Sequence, residues 1–310
     1  MPVNGLAPME DIVRQQIFAL MKDFTVETTP FSATKIKNFS EVLRPGTTVF
    51  VTFLSGADFA DTIAVSKRLR KEGMRPVPHI AARSVPSTAF LDEKLDELVS
   101  EIGVDEILIV AGAIDRPVGE FSYSMQIMET GLIDKYNIKR VGVAGHPEGS
   151  PDISDDEIRQ ALISKNIFAE RSDADLYVVT QLCFDAAPII AWDKAIQAEG
   201  NKLPIHVGVP GIASLKALLS YAKACGVGQS MNFLKRQGRN IAKLMTMSTP
   251  DKQIFDLVRY KSQDPECGIT GIHMYPLGGL EKTAKWTYAL LDQQFDINRK
   301  RDGFTVNVDL

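Results

Sequence analysis

A (β/α)8 barrel is the architecture the sequence predicts, on three observations. Eight short apolar, β-branched runs recur along the 310 residues. Segments with helical spacing separate them, and successive runs start roughly thirty residues apart, the length of one strand and its returning helix. A doubly wound sheet fits less well, because it uses fewer strands and a glycine-rich first turn, and neither G-x-G-x-x-G nor a Walker A loop occurs here. The whole chain, 1–310, reads as one domain.

In order, Met1 to Asp23 is expected to form a helix closing the barrel bottom. The strands are Phe24 to Glu27, Thr48 to Thr52, Val77 to Ile80, Glu106 to Val110, Arg140 to Ala144, Leu176 to Thr180, Ile205 to Val209 and Gly271 to Met274. Ile107-Leu108-Ile109-Val110 is apolar on both sides, as strands of a helix-covered parallel sheet are. Ala57 to Glu72 carries Phe59, Ile63, Ala64 and Leu69 at helical spacing and stops at Gly73; Leu91 to Ile102 repeats the pattern and stops at Gly103. Ser154-Asp155-Asp156-Glu157 is a capping box opening a helix to about Glu170, and Ser214 to Cys225 runs to Gly226. The long interval Gly211 to Thr270 holds extra helices, including Asn232 to Met245 and Pro250 to Lys261, read as an insertion before the last strand. Asn298 to Leu310 is expected to be a loosely held, charged tail.

Composition narrows the function. At 45% hydrophobic and 24% charged, with a net charge of −4, the chain reads as a soluble globular protein without the positive field that draws nucleic acid or an anionic membrane surface. No apolar run reaches membrane-spanning length, and the amino terminus lacks an export pattern. Three dispersed cysteines, Cys183, Cys225 and Cys267, argue against a disulfide framework and for a reducing cytoplasm.

The active site of such a barrel is built from the C-terminal ends of its strands. Those ends carry Glu27 and Thr28; Thr52; His79; Ala111-Gly112-Ala113; His146 and Glu148; Thr180 and Gln181; Gly208 and Pro210; and His273 and Tyr275. A buried polar group without a partner is costly, so a polar ring at one end implies mutual pairing or a ligand. Glu27 reads either as a rim ion-pair partner or as a general acid in apolar surroundings. His79 and His146 read equally as donors to backbone carbonyls, and Gln181 offers both donor and acceptor to a flat heterocycle. Cys183 reads as a packed residue. No metal site is expected, because the His-x-His pair and late aspartate ligand of hydrolase barrels and H-E-x-x-H are absent; serine hydrolase chemistry is not expected either, because no G-x-S-x-G elbow occurs.

The strand ends resemble the methylenetetrahydrofolate reductase family, bacterial catalytic-domain type, from about Phe24 to Leu277. The resemblance lies in Val26-Glu27-Thr28-Thr29-Pro30, Phe50-Val51-Thr52-Phe53, Pro78-His79-Ile80, Val143-Ala144-Gly145-His146-Pro147-Glu148, and Ala174-Asp175 through Thr180-Gln181-Leu182-Cys183-Phe184-Asp185. It implies an oxidoreductase interconverting 5,10-methylene- and 5-methyltetrahydrofolate, with FAD at the strand ends and NADH or NADPH as reductant. By the same resemblance Glu27 is the acid that helps open the methylene bridge, Gln181 contacts the folate, Phe184 packs near it, and Tyr275 and Leu277 lie near its aminobenzoyl arm. Thr52, His79, Ala111, Gly112, Ala113 and His146 fall on flavin positions, and Lys165 or Arg171 on the flavin diphosphate. A homo-oligomer is compatible with it. The family's Leu-Arg-Gly-Asp stretch here reads Val110-Ala111-Gly112-Ala113, without its aspartate; Asp115 lies two positions on. Two alternatives therefore stand beside this reading: a flavin-independent, folate-dependent one-carbon enzyme, and a non-catalytic tetrahydrofolate-binding barrel.

Overall fold

The computed structural model describes residues 9–54, 56–214, 247–300 and 302–310. Eight parallel strands close into a barrel. They are β1 (Thr25–Thr28), β2 (Thr48–Val51), β3 (Arg75–Ala81), β4 (Glu106–Val110), β5 (Arg140–Gly145), β6 (Asp175–Thr180), β7 (Ile205–Pro210) and β8 (Ile269–Tyr275). Each expected run overlaps one of them, with Phe24 and Thr52 one residue outside β1 and β2. Closure is made by β1 against β8, with Thr25 beside His273 and Val26 beside Met274.

Alternation along each strand divides the core in two. Val26, Val49, Val51, Ile80, Ile107, Ile109, Val141, Val143, Val178, Val207 and Met274 face the helices and are buried, whereas Phe50, Val77, Leu108, Tyr177 and Val179 fill the interior. The barrel is thus a packed core that opens only at its ends. Glu106 sits inside at 1% exposure. Its carboxylate accepts from the Tyr177 hydroxyl at 2.6 Å and pairs with Arg140 at 3.1 Å and Arg75 at 3.7 Å, so this buried charge is compensated.

The helices follow their caps. Asp58 accepts from Ala60 N–H and starts Phe59–Lys71, and the Ser154/Glu157 capping box starts Asp155–Ala169; each cap contributes about 1 kcal/mol. The helix expected from Leu91 begins at Thr88, because Ser87 caps it by accepting from Phe90 N–H, and its last turn, Glu97–Glu101, widens to a π-helix. The insertion helix lies at Asp251–Gln263. The helices expected over Ser214 to Cys225 and Asn232 to Met245 fall outside the described residues, apart from Ser214 itself, which pairs with Met247 in a short antiparallel ladder. The helix Met9–Met21 buries Ile17, Leu20 and Met21 and packs on β8 and on the helices Asp251–Gln263 and Leu280–Leu291.

The carboxyl-terminal segment differs from the expected loose tail. Phe295–Ile297 and Phe304–Val306 form an antiparallel hairpin, with Phe304 at 4% and Val306 at 8% exposure. Phe304 stacks on Trp286 at 6.3 Å, and the Arg14 guanidinium lies 4.6 Å over the Phe295 ring. The period-two spacing of Phe304 and Val306 buries two side chains that the surrounding charge conceals. Trp286→Ala should therefore cost about 3–5 kcal/mol in denaturant unfolding; a loss under about 1 kcal/mol would show that the hairpin contributes little to the core.

Candidate active site

Two residues apart on β1, Thr25 and Glu27 share the inward face, while Val26 between them packs outward. The Glu27 carboxylate, 17% exposed, lies 3.7 Å from Nε2 of His273 on neighbouring β8. His273 is 1% exposed; its Nδ1 is 2.8 Å from the Thr25 hydroxyl. The edges of Phe50 and Tyr275 hold the imidazole from two sides, at 4.6 and 4.7 Å between ring centroids. On the opposite flank lies His79 of β3, buried and within electrostatic reach of Glu27 and of His273. Two buried polar atoms at adjacent strand ends, His79 Nε2 and Thr52 Oγ1, have no hydrogen-bond partner among the described residues, an arrangement that favours a ligand able to supply one.

Across the barrel, the Gln181 amide oxygen accepts from the Glu148 backbone N–H at 3.2 Å. This fixes the amide's orientation and leaves its two N–H donors for a ligand. The Tyr275 hydroxyl donates to the Thr180 carbonyl at 2.8 Å, and the Thr180 hydroxyl accepts from Gly208 N–H at 2.8 Å. Tyr275 therefore spans the mouth from β8 to β6, over Gly208, where a Cβ would come within 2.5 Å of its ring. The bridge from Glu27 through His273 and Tyr275 to Thr180 places Glu27 and Gln181 at one end of the barrel. Phe184, three residues on from Gln181, is buried. Leu277, just past β8, holds φ +53, a left-handed backbone unusual for leucine, and turns the chain with Gly278 at +85.

At the end of β4, Gly112 adopts φ +92, and a Cβ there would press on Ala81 at 3.3 Å. The flanking Ala111 is half-buried and Ala113 exposed. Arg83 anchors this loop: its N–H donates to the Ala111 carbonyl at 2.9 Å, and its guanidinium reaches the Ser122 and Ile114 carbonyls. At the end of β5, burial pushes His146 down to about 4, the nearby Lys165 ammonium adding to it. Lys165, on the helix Asp155–Ala169, is 4% exposed and donates to the Ala144 carbonyl at 3.2 Å; burial lowers it to about 8.

Of the site residues expected from sequence, Glu27, Thr52, His79, His146, Gln181 and Tyr275 stand at the barrel's C-terminal end, and Leu277 in the turn beyond it. Lys165, on the outer helix, buries its ammonium against the Ala144 carbonyl of β5. Thr25, Arg83 and the pairing of His273 with Glu27 were not singled out by sequence; only the two-residue step from Glu27 back to Thr25 pointed to a second inward polar group.

His79 and His206 are also depressed to about 4, from an ordinary 6.5, with burial the largest cause at both. Below pH 6.5 the unfolded chain binds protons at His79, His146 and His206 that the folded chain excludes. Their contribution is whole above pH 6.5 and falls away toward pH 4, by on the order of several kcal/mol in total. The Tm of wild type should fall steeply from pH 7 to pH 4.5 and less steeply for His206→Gln; parallel curves would count against a half-buried His206 held neutral in the folded chain.

A model of the family described as methylenetetrahydrofolate reductase matches residues 25–278. The chain belongs to this family. The matched region runs from the first residue of β1 to the turn after β8, and so spans the barrel. Among family members, methylenetetrahydrofolate reductase 1 of Schizosaccharomyces pombe is 28% identical over 214 residues, 64% of this chain and 33% of that protein. Methylenetetrahydrofolate reductase 2 of Saccharomyces cerevisiae is 25% identical over 173 residues, 53% of this chain and 28% of its own length. The chain thus aligns with about a third of these curated relatives. Among solved structures, an uncharacterized protein from Clostridium thermocellum that binds two copies of 5-methyl-5,6,7,8-tetrahydrofolic acid superposes with TM-score 0.54 at 16% identity, over 91% of this chain and 98% of that one. The likeness supports the barrel fold.

Proposed function

We propose that this reductase-family barrel binds a reduced folate across its mouth and reduces 5,10-methylenetetrahydrofolate to 5-methyltetrahydrofolate. The single observation that carries the reading is the placement of the Glu27 carboxyl and the Gln181 amide at one end of the barrel, joined by the Glu27–His273 contact and the Tyr275 hydrogen bond to Thr180. The folate bound by the Clostridium thermocellum neighbour agrees with it.

The chemistry follows from what each group can do. The methylene carbon bridges two nitrogens. Cleaving one C–N bond leaves its electron pair on the departing nitrogen, which takes a proton, and the remaining carbon–nitrogen unit becomes an iminium that accepts hydride to give the methyl group. Glu27 supplies the proton as its neutral acid and ends as the carboxylate. The Gln181 N–H donors hold the pterin in plane, and Phe184 and Tyr275 supply apolar surface that keeps water from the iminium.

The partnerless Thr52 hydroxyl and His79 Nε2 and the tight Gly112 turn fit the ring portion of a flavin beside β2 to β4. FAD bound there would carry hydride from NADH or NADPH to the folate. Thr52, His79 and the backbone around Ala111, Gly112 and Ala113 would hold it, with His146 at the β5 end and Lys165 toward the diphosphate. A second reading, direct reduction by the nicotinamide, is favoured by two observations: Ala113 brings no carboxylate to the pyrimidine edge, and the Lys165 ammonium is already bonded to Ala144. Protein incubated with FAD and dialysed should be yellow, bleach on adding NADH, and regain colour with 5,10-methylenetetrahydrofolate. Colourless protein that still forms 5-methyltetrahydrofolate supports the second reading, and failure to bind any reduced folate overturns both.

A further inference from the structure

We propose that His273, backed by Thr25, is a positioning residue for the Glu27 proton: the Thr25 hydroxyl donates to Nδ1, so Nε2 carries the ring hydrogen and faces the carboxylate. The proposal deepens the reading of Glu27 as the acid and rests on it.

Placement makes the three residues a unit. Thr25 and His273 are register partners across the β1–β8 seam that closes the barrel. Both are buried, at 4% and 1% exposure, with the Oγ1 to Nδ1 distance at 2.8 Å. Water cannot take over this contact, so the pair must settle its own hydrogen. With Nδ1 accepting from Thr25, Nε2–H meets the Glu27 carboxylate attractively. The reverse tautomer would turn a nitrogen lone pair toward the carboxylate that Glu27 becomes on releasing its proton, and so would oppose that release. Phe50 and Tyr275 pack edgewise on the imidazole, at 65° and 84° between ring planes, and hinder a ring flip.

The Nε2 to Oε2 separation of 3.7 Å exceeds a hydrogen bond. A small rotation of the Glu27 side chain closes it, as catalytic contacts commonly tighten when ligand binds. Among the described residues, the titratable groups facing Glu27 are His79 from β3 and His273 from β8, while its β2 register partner, Phe50, is apolar. As Glu27 releases its proton to the departing folate nitrogen, negative charge grows on the carboxylate and Nε2–H stabilises it. His273 keeps its own proton throughout. The unit should therefore affect the chemical step more than folate binding.

The experiment compares Thr25→Val, which removes the hydroxyl at nearly constant shape, with Thr25→Ser, which restores it; His273→Gln serves as a second probe. The Glu27 carboxyl is titrated by carbon-13 NMR in the ligand-free protein, assigned by the signal lost in Glu27→Gln. Thr25→Val should raise the Glu27 midpoint and lower kcat about tenfold, the size of one hydrogen bond to a charged group. Folate Kd should stay unchanged, and Thr25→Ser should recover both values. A Thr25→Val midpoint equal to wild type overturns the proposal, whatever happens to turnover. A raised midpoint in a protein whose wild type reduces no folate upholds the Thr25–His273–Glu27 coupling and overturns the reductase reading instead.

Discussion

Glu27→Gln is expected to lower kcat for methylene reduction by roughly 10²–10⁴-fold, the range a positioned general acid contributes. The amide has nearly the shape of the carboxyl and no proton of useful acidity, so the departing nitrogen must be protonated by water. Tetrahydrofolate affinity should change by no more than about threefold, because the acid acts on the bond being broken and not on the bound ground state. Steady-state rates and equilibrium titration of the same preparation separate the two quantities. Turnover close to wild type would remove Glu27 from the chemistry. Equal losses in both would make it a binding residue only, as in a non-catalytic folate barrel.

The second large effect is expected at Gly208, on the inward face of β7. A Cβ there would lie 2.5 Å from the Tyr275 ring and 2.7 Å from each of the Thr180 and Gln181 carbonyl oxygens. The two oxygens belong to the backbone and cannot swing aside, so Tyr275 must leave its place or β6 must separate from β7. Gly208→Ala should cost about 1–3 kcal/mol in stability. Loss of the Tyr275 bridge to Thr180 should also weaken reduced-folate binding by at least about tenfold, the equivalent of 1.4 kcal/mol. Denaturant unfolding and folate titration measure the two effects. A stable variant with wild-type affinity would show that Tyr275 does not shape the mouth.

The strands of the barrel were legible in the sequence because local environment alone fixes them. Strands such as Ile107-Leu108-Ile109-Val110 are buried on both faces, and this leaves an unbroken apolar signature that helices of the same length do not share. Glu27 stood out because a carboxylate within a buried strand needs a reason, and Gln181 because it closes an apolar run with an amide. Relations between distant segments were less legible. Thr25 and His273 are 248 positions apart and meet only because β8 returns to β1. Nothing in the sequence around Arg83 shows that its guanidinium reaches the Ser122 and Ile114 carbonyls of the β4 loop. The carboxyl-terminal hairpin hid because two buried residues in a charged stretch give too short an alternation to outweigh its polar surroundings.

Each role proposed for the site requires the barrel mouth to hold a pterin. A structure of the protein with 5-methyltetrahydrofolate tests this most directly: the account predicts the pterin lying flat between the Glu27 carboxyl and the Gln181 amide, with Gln181 Nε2 donating to it and Tyr275 beside the aminobenzoyl arm. A folate seated outside the barrel's C-terminal end, or contacting neither Glu27 nor Gln181, would contradict it.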